Sequence, residues 1–155
     1  MPVNFVEGDL FADDRLEALA HGCNCAGAMG RGIAVEFKRR YPRMFDEYRD
    51  RCRSGLFGLG DVFRWEAADI VVFNLGTQKT WRTKASLAAI EQSLRGMIAI
   101  AEKERIRTIG LPRIGAGLGG APWERVRSLL QELGDATDVE LVVFEKFVAS
   151  QPYLG

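Results

Sequence analysis

Two glycine-dense turns, each between an apolar stretch and an amphipathic one, constrain this chain more than any other feature. The first is Gly27-Ala28-Met29-Gly30-Arg31-Gly32-Ile33-Ala34 and the second is Arg113-Ile114-Gly115-Ala116-Gly117-Leu118-Gly119-Gly120-Ala121. Before the first, Leu19 to Cys23 reads as a buried strand; after it, Ile33, Ala34, Phe37 and Tyr41 recur at helical spacing. Before the second, Thr108 to Pro112 reads as a short buried strand. After it, Pro122 opens a helix with Trp123, Val126, Leu129, Leu130 and Leu133 as its stripe and Gly134 past its end. Strand, glycine turn and helix start together suit an anion, because the first helical N–H groups lack intrahelical partners and the dipole is positive there. Alone, either turn also reads as a tight connection with no ligand. The pair suggests a diphosphate held between them. Neither turn is a P-loop, since no Gly-Lys-Ser/Thr follows, and neither carries the full dinucleotide fingerprint.

The remaining segments fill out an α/β pattern. Val3 to Glu7 alternates as a first strand closed by Gly8-Asp9, where Asp9 reads as a turn or helix cap. Pro42 ends the first helix and starts another, with Met44, Phe45, Tyr48 and Cys52 on one side; the basic cluster over residues 38 to 53 reads as a solvated face with internal ion pairs. Asp61 to Trp65 and Ile70 to Asn74 read as a close-spaced antiparallel hairpin. Gly76 to Lys84 is polar and aperiodic, either an exposed connector or a functional loop, and it leads to a helix capped by Ser86. Val139 to Phe144 is the last strand, with Phe144 either in the core or at a pocket rim. The order implies one domain over residues 1–155, a three-layer α/β/α unit with a mixed sheet of about six strands.

Composition narrows the function classes. Lys plus Arg and Asp plus Glu are 21 each, so no overall field draws the protein to nucleic acid or an anionic membrane. No apolar run approaches the ~20 residues of a membrane span. Met1-Pro2-Val3-Asn4 lacks the basic start and apolar core of a signal peptide, and the three cysteines are an odd number, so a cytoplasmic protein with reduced thiols is expected. His21, Cys23 and Cys25 alternate, but with no fourth ligand at zinc-like spacing they read as small buried groups rather than a metal site. No cofactor is called for, and a monomer is the default.

Taken in order, Gly8-Asp9-Leu10-Phe11, the Ala20-His21 segment, Met29-Gly30-x-Gly32-Ile33-Ala34-Val35-x-Phe37-Lys38, Thr77-x-Lys79 and Pro112-Arg113-Ile114-Gly115-x-Gly117-Leu118 resemble the macrodomain family. Within it they are most similar to the branch holding terminal ADP-ribose protein glycohydrolases and DNA ADP-ribose glycohydrolase antitoxins. The resemblance implies ADP-ribose as ligand, free or attached to a macromolecule. It implies that Asp9 accepts from the adenine amine, that Leu10 sits beside the base and that Phe144 lies on its face. Met29, Gly30, Gly32, Ile33 and Ala34 would hold the diphosphate and distal ribose from one side. Pro112, Arg113, Ile114, Gly115, Ala116, Gly117, Leu118 and Gly119 would close from the other, with Thr77 between. Asn24 would approach the distal ribose.

For chemistry, the resemblance implies a lysine directly after the loop threonine, which attacks the anomeric carbon, and an aspartate after the Gly-x-Gly-Leu run. Here those positions are Gln78 and Gly119, and Lys79 comes one place later, where an extended segment would turn it away. An ADP-ribose ester of an acidic side chain has a leaving group of pKa ~4.3 and needs no general acid. The expected activity is therefore hydrolysis of mono-ADP-ribose from glutamate or aspartate side chains, with Asn24, Gln78 and Lys79 as candidates at the reacting end. The expected partners are ADP-ribose and mono-ADP-ribosylated protein, with nucleic-acid-linked ADP-ribose as an open second carrier. A non-catalytic ADP-ribose reader, and a hydrolase of another derivative such as O-acetyl-ADP-ribose, remain alternatives.

Overall fold

In the computed structural model, which describes residues 3–117 and 119–150, the apolar stretches become strands β1 (Val3–Gly8), β2 (Ala18–Asn24), β3 (Val62–Glu66), β4 (Val71–Gln78), β5 (Thr108–Leu111) and β6 (Glu140–Phe147). They form one six-stranded sheet in the order β1-β6-β5-β2-β4-β3. Only β3 runs antiparallel, paired with β4 from Val62↔Leu75 to Glu66↔Val71, so the sheet is mixed as the hairpin spacing required. Helices α1 (Ile33–Arg40) and α2 (Pro42–Arg53) cover one face; α3 (Leu87–Glu104) and α4 (Trp123–Asp135) cover the other.

Period-two alternation assigns side chains to those faces. Ala18 and Ala20 of β2, with Val71, Phe73 and Leu75 of β4, pack on Ile90, Leu94 and Met97 of α3 and on Val126 and Leu130 of α4. Leu19, Cys23, Val72 and Val142 point the other way, onto Phe37, Met44 and Tyr48. A fully buried side chain such as Ile90 or Leu94 contributes about 1.5–3 kcal/mol, so each helix pair is anchored by its stripe rather than by propensity. The ion pairs of Glu36 with Arg39 and Arg40 are exposed decoration, as the basic helix face suggested.

His21 is buried within this frame. It stacks on Phe37 at 3.8 Å, and its Nε2 lies 2.7 Å from Oδ1 of its cross-strand partner Asn74. Asn74 Nδ2 donates to the Phe63 carbonyl, so Oδ1 is the acceptor and His21 carries its proton on Nε2. Burial pushes its pKa down to about 4.

Several boundaries differ from the sequence reading, including β6, which runs to Phe147 rather than ending at Phe144. β4 runs on through Gly76, Thr77 and Gln78 instead of ending at Asn74, because β2 continues beside it and Asn24 pairs with Gln78. Thr77 is polar but buried, its hydroxyl 3.4 Å from the Cys23 carbonyl. Gly134 lies inside α4 rather than past its end, and is buried there. Cys25 falls beyond the end of β2, after a register shift at Cys23/Asn24, so His21, Cys23 and Cys25 do not form one alternating row.

Candidate functional site

The two glycine turns leave the sheet between β2 and β5. β2 pairs with β5 only through Ala18↔Ile109 and Leu19↔Gly110, then keeps its pairing with β4 while β5 stops at Leu111. From there the chain after β2 goes to α1 on one face, and the chain after β5 goes to α4 on the other. That divergence is the switch point at which open α/β sheets hold ligands. The result is a cleft of about 760 Å³, within the usual size of a small-molecule site.

Glycine is required in both walls, for two different reasons. Gly32, the N-cap of α1, has φ 59° and Gly115 has φ 70°, both in the left-handed region. At Gly115 a Cβ would also come within 2.6 Å of Ile90 Cδ1. Gly30 and Gly117 line the cleft without a positive φ, and a Cβ on either would meet nothing within 4 Å. Neither the backbone nor the packing demands glycine there; a side chain would simply occupy the cradle. The amides of Ile33 and Ala34 open α1 and have no intrahelical acceptor, so they point the helix's positive end at this space.

The far end of the cleft lies on β2 and β4. Asn24 lines it, but its amide is largely committed: Oδ1 accepts from Ala26 N at 3.0 Å and Ala28 N at 3.3 Å, and Nδ2 donates to the Ala28 carbonyl at 2.8 Å. The buried Tyr48 hydroxyl, from α2, lies on Asn24 as well. Gln78 closes β4 and lines the cleft beside Thr77. Lys79 is exposed and is not among the residues that line the cleft, whereas Thr77 and Gln78 both are, because the register shift opposite Cys23 and Asn24 breaks the strict alternation there. Gly119 faces Gln78, and a Cβ there would fall 3.0 Å from Gln78 Oε1 and 2.6 Å from the Gly115 carbonyl oxygen.

The near end, three inter-strand steps away across β2 and β5 or about 14 Å, is aromatic. Phe144 and the exposed Phe147 of β6 line it together with Pro112 and Arg113. Asp9 and Leu10 stand outside the wall. Asp9 caps the short turn Leu10–Ala12 by accepting from Phe11 N at 2.9 Å, and its other oxygen accepts from Ser150 N at 3.1 Å. Ala116 is likewise off the wall, whereas Met29, Ile33, Ala34 and Ile114 are on it. Leu118 lies outside the described residues.

Sequence reasoning overlooked several lining residues. Arg31 is one position of the first glycine turn, yet its guanidinium lies 5.5 Å from the ring of Trp81, which stands at the mouth. An aromatic in an otherwise polar stretch was the available signal. Glu145 also lines the cleft, but it is held by Trp123 Nε1 at 2.8 Å and by Arg127 at 3.0 Å. With that carboxylate paired, Arg31 and Arg113 give the cleft a cationic bias. The Cys23 thiol in its floor is pushed up by burial and is a poor nucleophile. Among the described residues no group of three or more His, Cys, Asp or Glu could hold a metal ion, and no helix is long and apolar enough to cross a membrane.

A mixed α/β/α sheet with two glycine turns lining a cleft at its switch point defines an open α/β domain with its site at the carboxyl ends of the strands. The Macro domain family model matches residues 20–130, and the chain belongs to that family. It is 34% identical over 148 residues to a DNA ADP-ribosyl glycohydrolase of Thermus aquaticus, covering 92% of this chain and 41% of that protein. The chain thus spans about two-fifths of that relative's length. It is 30% identical to human ADP-ribose glycohydrolase OARD1, over 92% of this chain and 90% of that one. The solved macrodomain of Thermus aquaticus DarG superposes with a TM-score of 0.84 at 34% identity, covering 92% of this chain and 97% of that one.

Proposed function

We propose that this macro domain binds ADP-ribose along the cleft and hydrolyses mono-ADP-ribose esters of glutamate and aspartate side chains. The observation that carries the reading is the pair of side-chain-free cradle positions, Gly30 and Gly117, on opposite walls of one cleft whose near end is aromatic. The adenine would lie against Phe144, where a ring face is worth ~1–3 kcal/mol per base. The diphosphate would accept from amides of the two turns. The distal ribose would reach Asn24, Thr77 and Gln78, with the second Nδ2 proton of Asn24 left to position a hydroxyl. Asp9 and Leu10 would act on the base only from behind that wall, through the cap they form, and Lys79 takes no part.

Hydrolysis then needs placement more than proton transfer. Water attacks the anomeric carbon, the bond from that carbon to the ester oxygen breaks, and the carboxylate leaves with the electron pair while the water's proton passes to solvent. A leaving group of pKa ~4.3 requires no general acid. An N-glycosidic bond to arginine does, and the only carboxylate on the described wall, Glu145, is occupied by Trp123 and Arg127. The free cysteines suit a reducing compartment, so we place the activity in the cytoplasm, in a monomer acting on modified protein, with nucleic-acid-linked ADP-ribose as a second carrier.

Incubation with glutamate-linked, arginine-linked and DNA-linked mono-ADP-ribose, followed by chromatography of released ADP-ribose, tests this. Release from the glutamate ester but not from arginine is expected. Calorimetric binding of ADP-ribose with no release from any carrier would leave a reader module, a second reading favoured by Gln78 and Gly119 standing where the family resemblance implies a lysine and an aspartate.

A further inference from the structure

The amide of Gln78 has a fixed orientation. Its nitrogen donates to the main-chain carbonyls of Thr80 at 2.9 Å and Thr83 at 3.0 Å. Carbonyls only accept, so the nitrogen must take that side and Oε1 must take the other; the usual ambiguity between the two atoms is removed. The anchor is itself stiff, because Thr80 N donates to Thr83 Oγ1 at 3.0 Å and Thr83 N to the Thr80 carbonyl at 3.3 Å. The side left for Oε1 is the cleft, over Gly119, whose missing Cβ keeps the space open. No described residue donates to Oε1.

We infer that Gln78 is a specificity-determining residue: its Oε1 is a locked acceptor that selects a hydroxyl on the terminal sugar of ADP-ribose and rejects an anionic group at that place. The inference rests on the ADP-ribose reading, which brings the terminal sugar to this end. A sugar hydroxyl donates to Oε1. A phosphate dianion brings only acceptors, so it leaves Oε1 without a donor and sets like partial charges against each other. A site built to hydrogen-bond a hydroxyl discriminates strongly against an analogue that cannot donate. A lysine at the same place would do the reverse, offering only donors and a positive charge.

Isothermal titration calorimetry with ADP-ribose and ADP-ribose 1″-phosphate reads this directly. At pH 7.5 the protein is expected to bind ADP-ribose at least about ten-fold more tightly than the phosphate. Near pH 5 the preference should narrow, because a phosphate with its second pKa near ~6 regains a proton to donate. Gln78→Lys should invert the order, and Gln78→Leu, which removes the acceptor without adding charge, should bring the two affinities within about a factor of two. Circular dichroism checks that both variants fold, and either one alone suffices. Equal affinities in the wild type, or a ratio unchanged by substitution, overturn the inference while leaving ADP-ribose binding intact. Binding of neither ligand overturns the ADP-ribose reading and this inference together.

Discussion

The hydroxyl of Tyr48 lies 2.7 Å from the main-chain oxygen of Asn24 and 2.9 Å from its side-chain oxygen, both contacts buried. One phenol from α2 therefore ties the last residue of β2 to the start of the first glycine turn, whose backbone Asn24 also holds. Tyr48→Phe removes that oxygen and keeps the ring packed against Phe57. The Asn24 main-chain oxygen loses its buried donor while Oδ1 keeps Ala26 N and Ala28 N, which should cost about 1–3 kcal/mol in urea denaturation. If the contact also shapes the cradle, ADP-ribose affinity should fall about three- to ten-fold by calorimetry at a temperature where the variant is fully folded. An unchanged affinity would confine Tyr48 to stability.

Gly30→Val and Gly117→Val test the opposite separation. A Cβ at either position meets nothing within 4 Å in the unliganded protein, so denaturation midpoints should move by no more than about 0.5 kcal/mol equivalent. ADP-ribose binding should weaken at least about ten-fold in each, since the added carbons take the volume over the cradle. Wild-type affinity in both would place the ligand elsewhere.

Gly119→Asp does not restore an aspartate-bearing site. Its Cβ would lie 2.6 Å from the Gly115 carbonyl oxygen, which already accepts from Ala121 N, so backbone must shift to admit it. A loss of about 1–3 kcal/mol in thermal or chemical denaturation is expected, with no gain in hydrolysis. A stable variant with raised turnover would show that the second turn yields easily.

His21 makes stability depend on pH with a definite sign. Its folded pKa is lowered to about 4 from an ordinary 6.5, so the unfolded chain binds the proton first as pH falls. The stabilisation is fully present above about pH 6.5, is lost through the interval down to about 4, and levels off below it. The total for this group is on the order of 3 kcal/mol. His21→Gln, which can still donate to Asn74, should be less stable at neutral pH through loss of the Phe37 stack but show a flatter profile from pH 6.5 to 4 in urea titrations. An equally steep profile would assign the acid sensitivity to other groups.

Local pattern made much of this legible. The alternation in β2 and β6, the stripe of α3 behind Ser86 and the two glycine turns are each encoded within a dozen residues, so fold class and both cradles could be read from the chain. What escaped depends on contacts distant in sequence. Thr77 and Gln78 look like loop residues because they are polar, yet Asn24 of β2 pairs with Gln78 past a register shift that skips Thr77, and the strand runs on. The amide of Asn24 seemed free for a sugar until Ala26, Ala28 and Tyr48 were placed around it. Asp9 is the turn cap its position suggested, but its second oxygen also accepts from Ser150 N, 141 positions away, a contact no local pattern carries.

The short seam between β2 and β5 has a mechanical outcome. Each cradle is rooted in a different helical layer, one continuing into α1 and the other into α4, and only two residue pairs stitch the strands between them. A diphosphate seated there acts as a rivet across that stitch. Its arrival should slow amide exchange in both layers at once, including helix ends that never touch it.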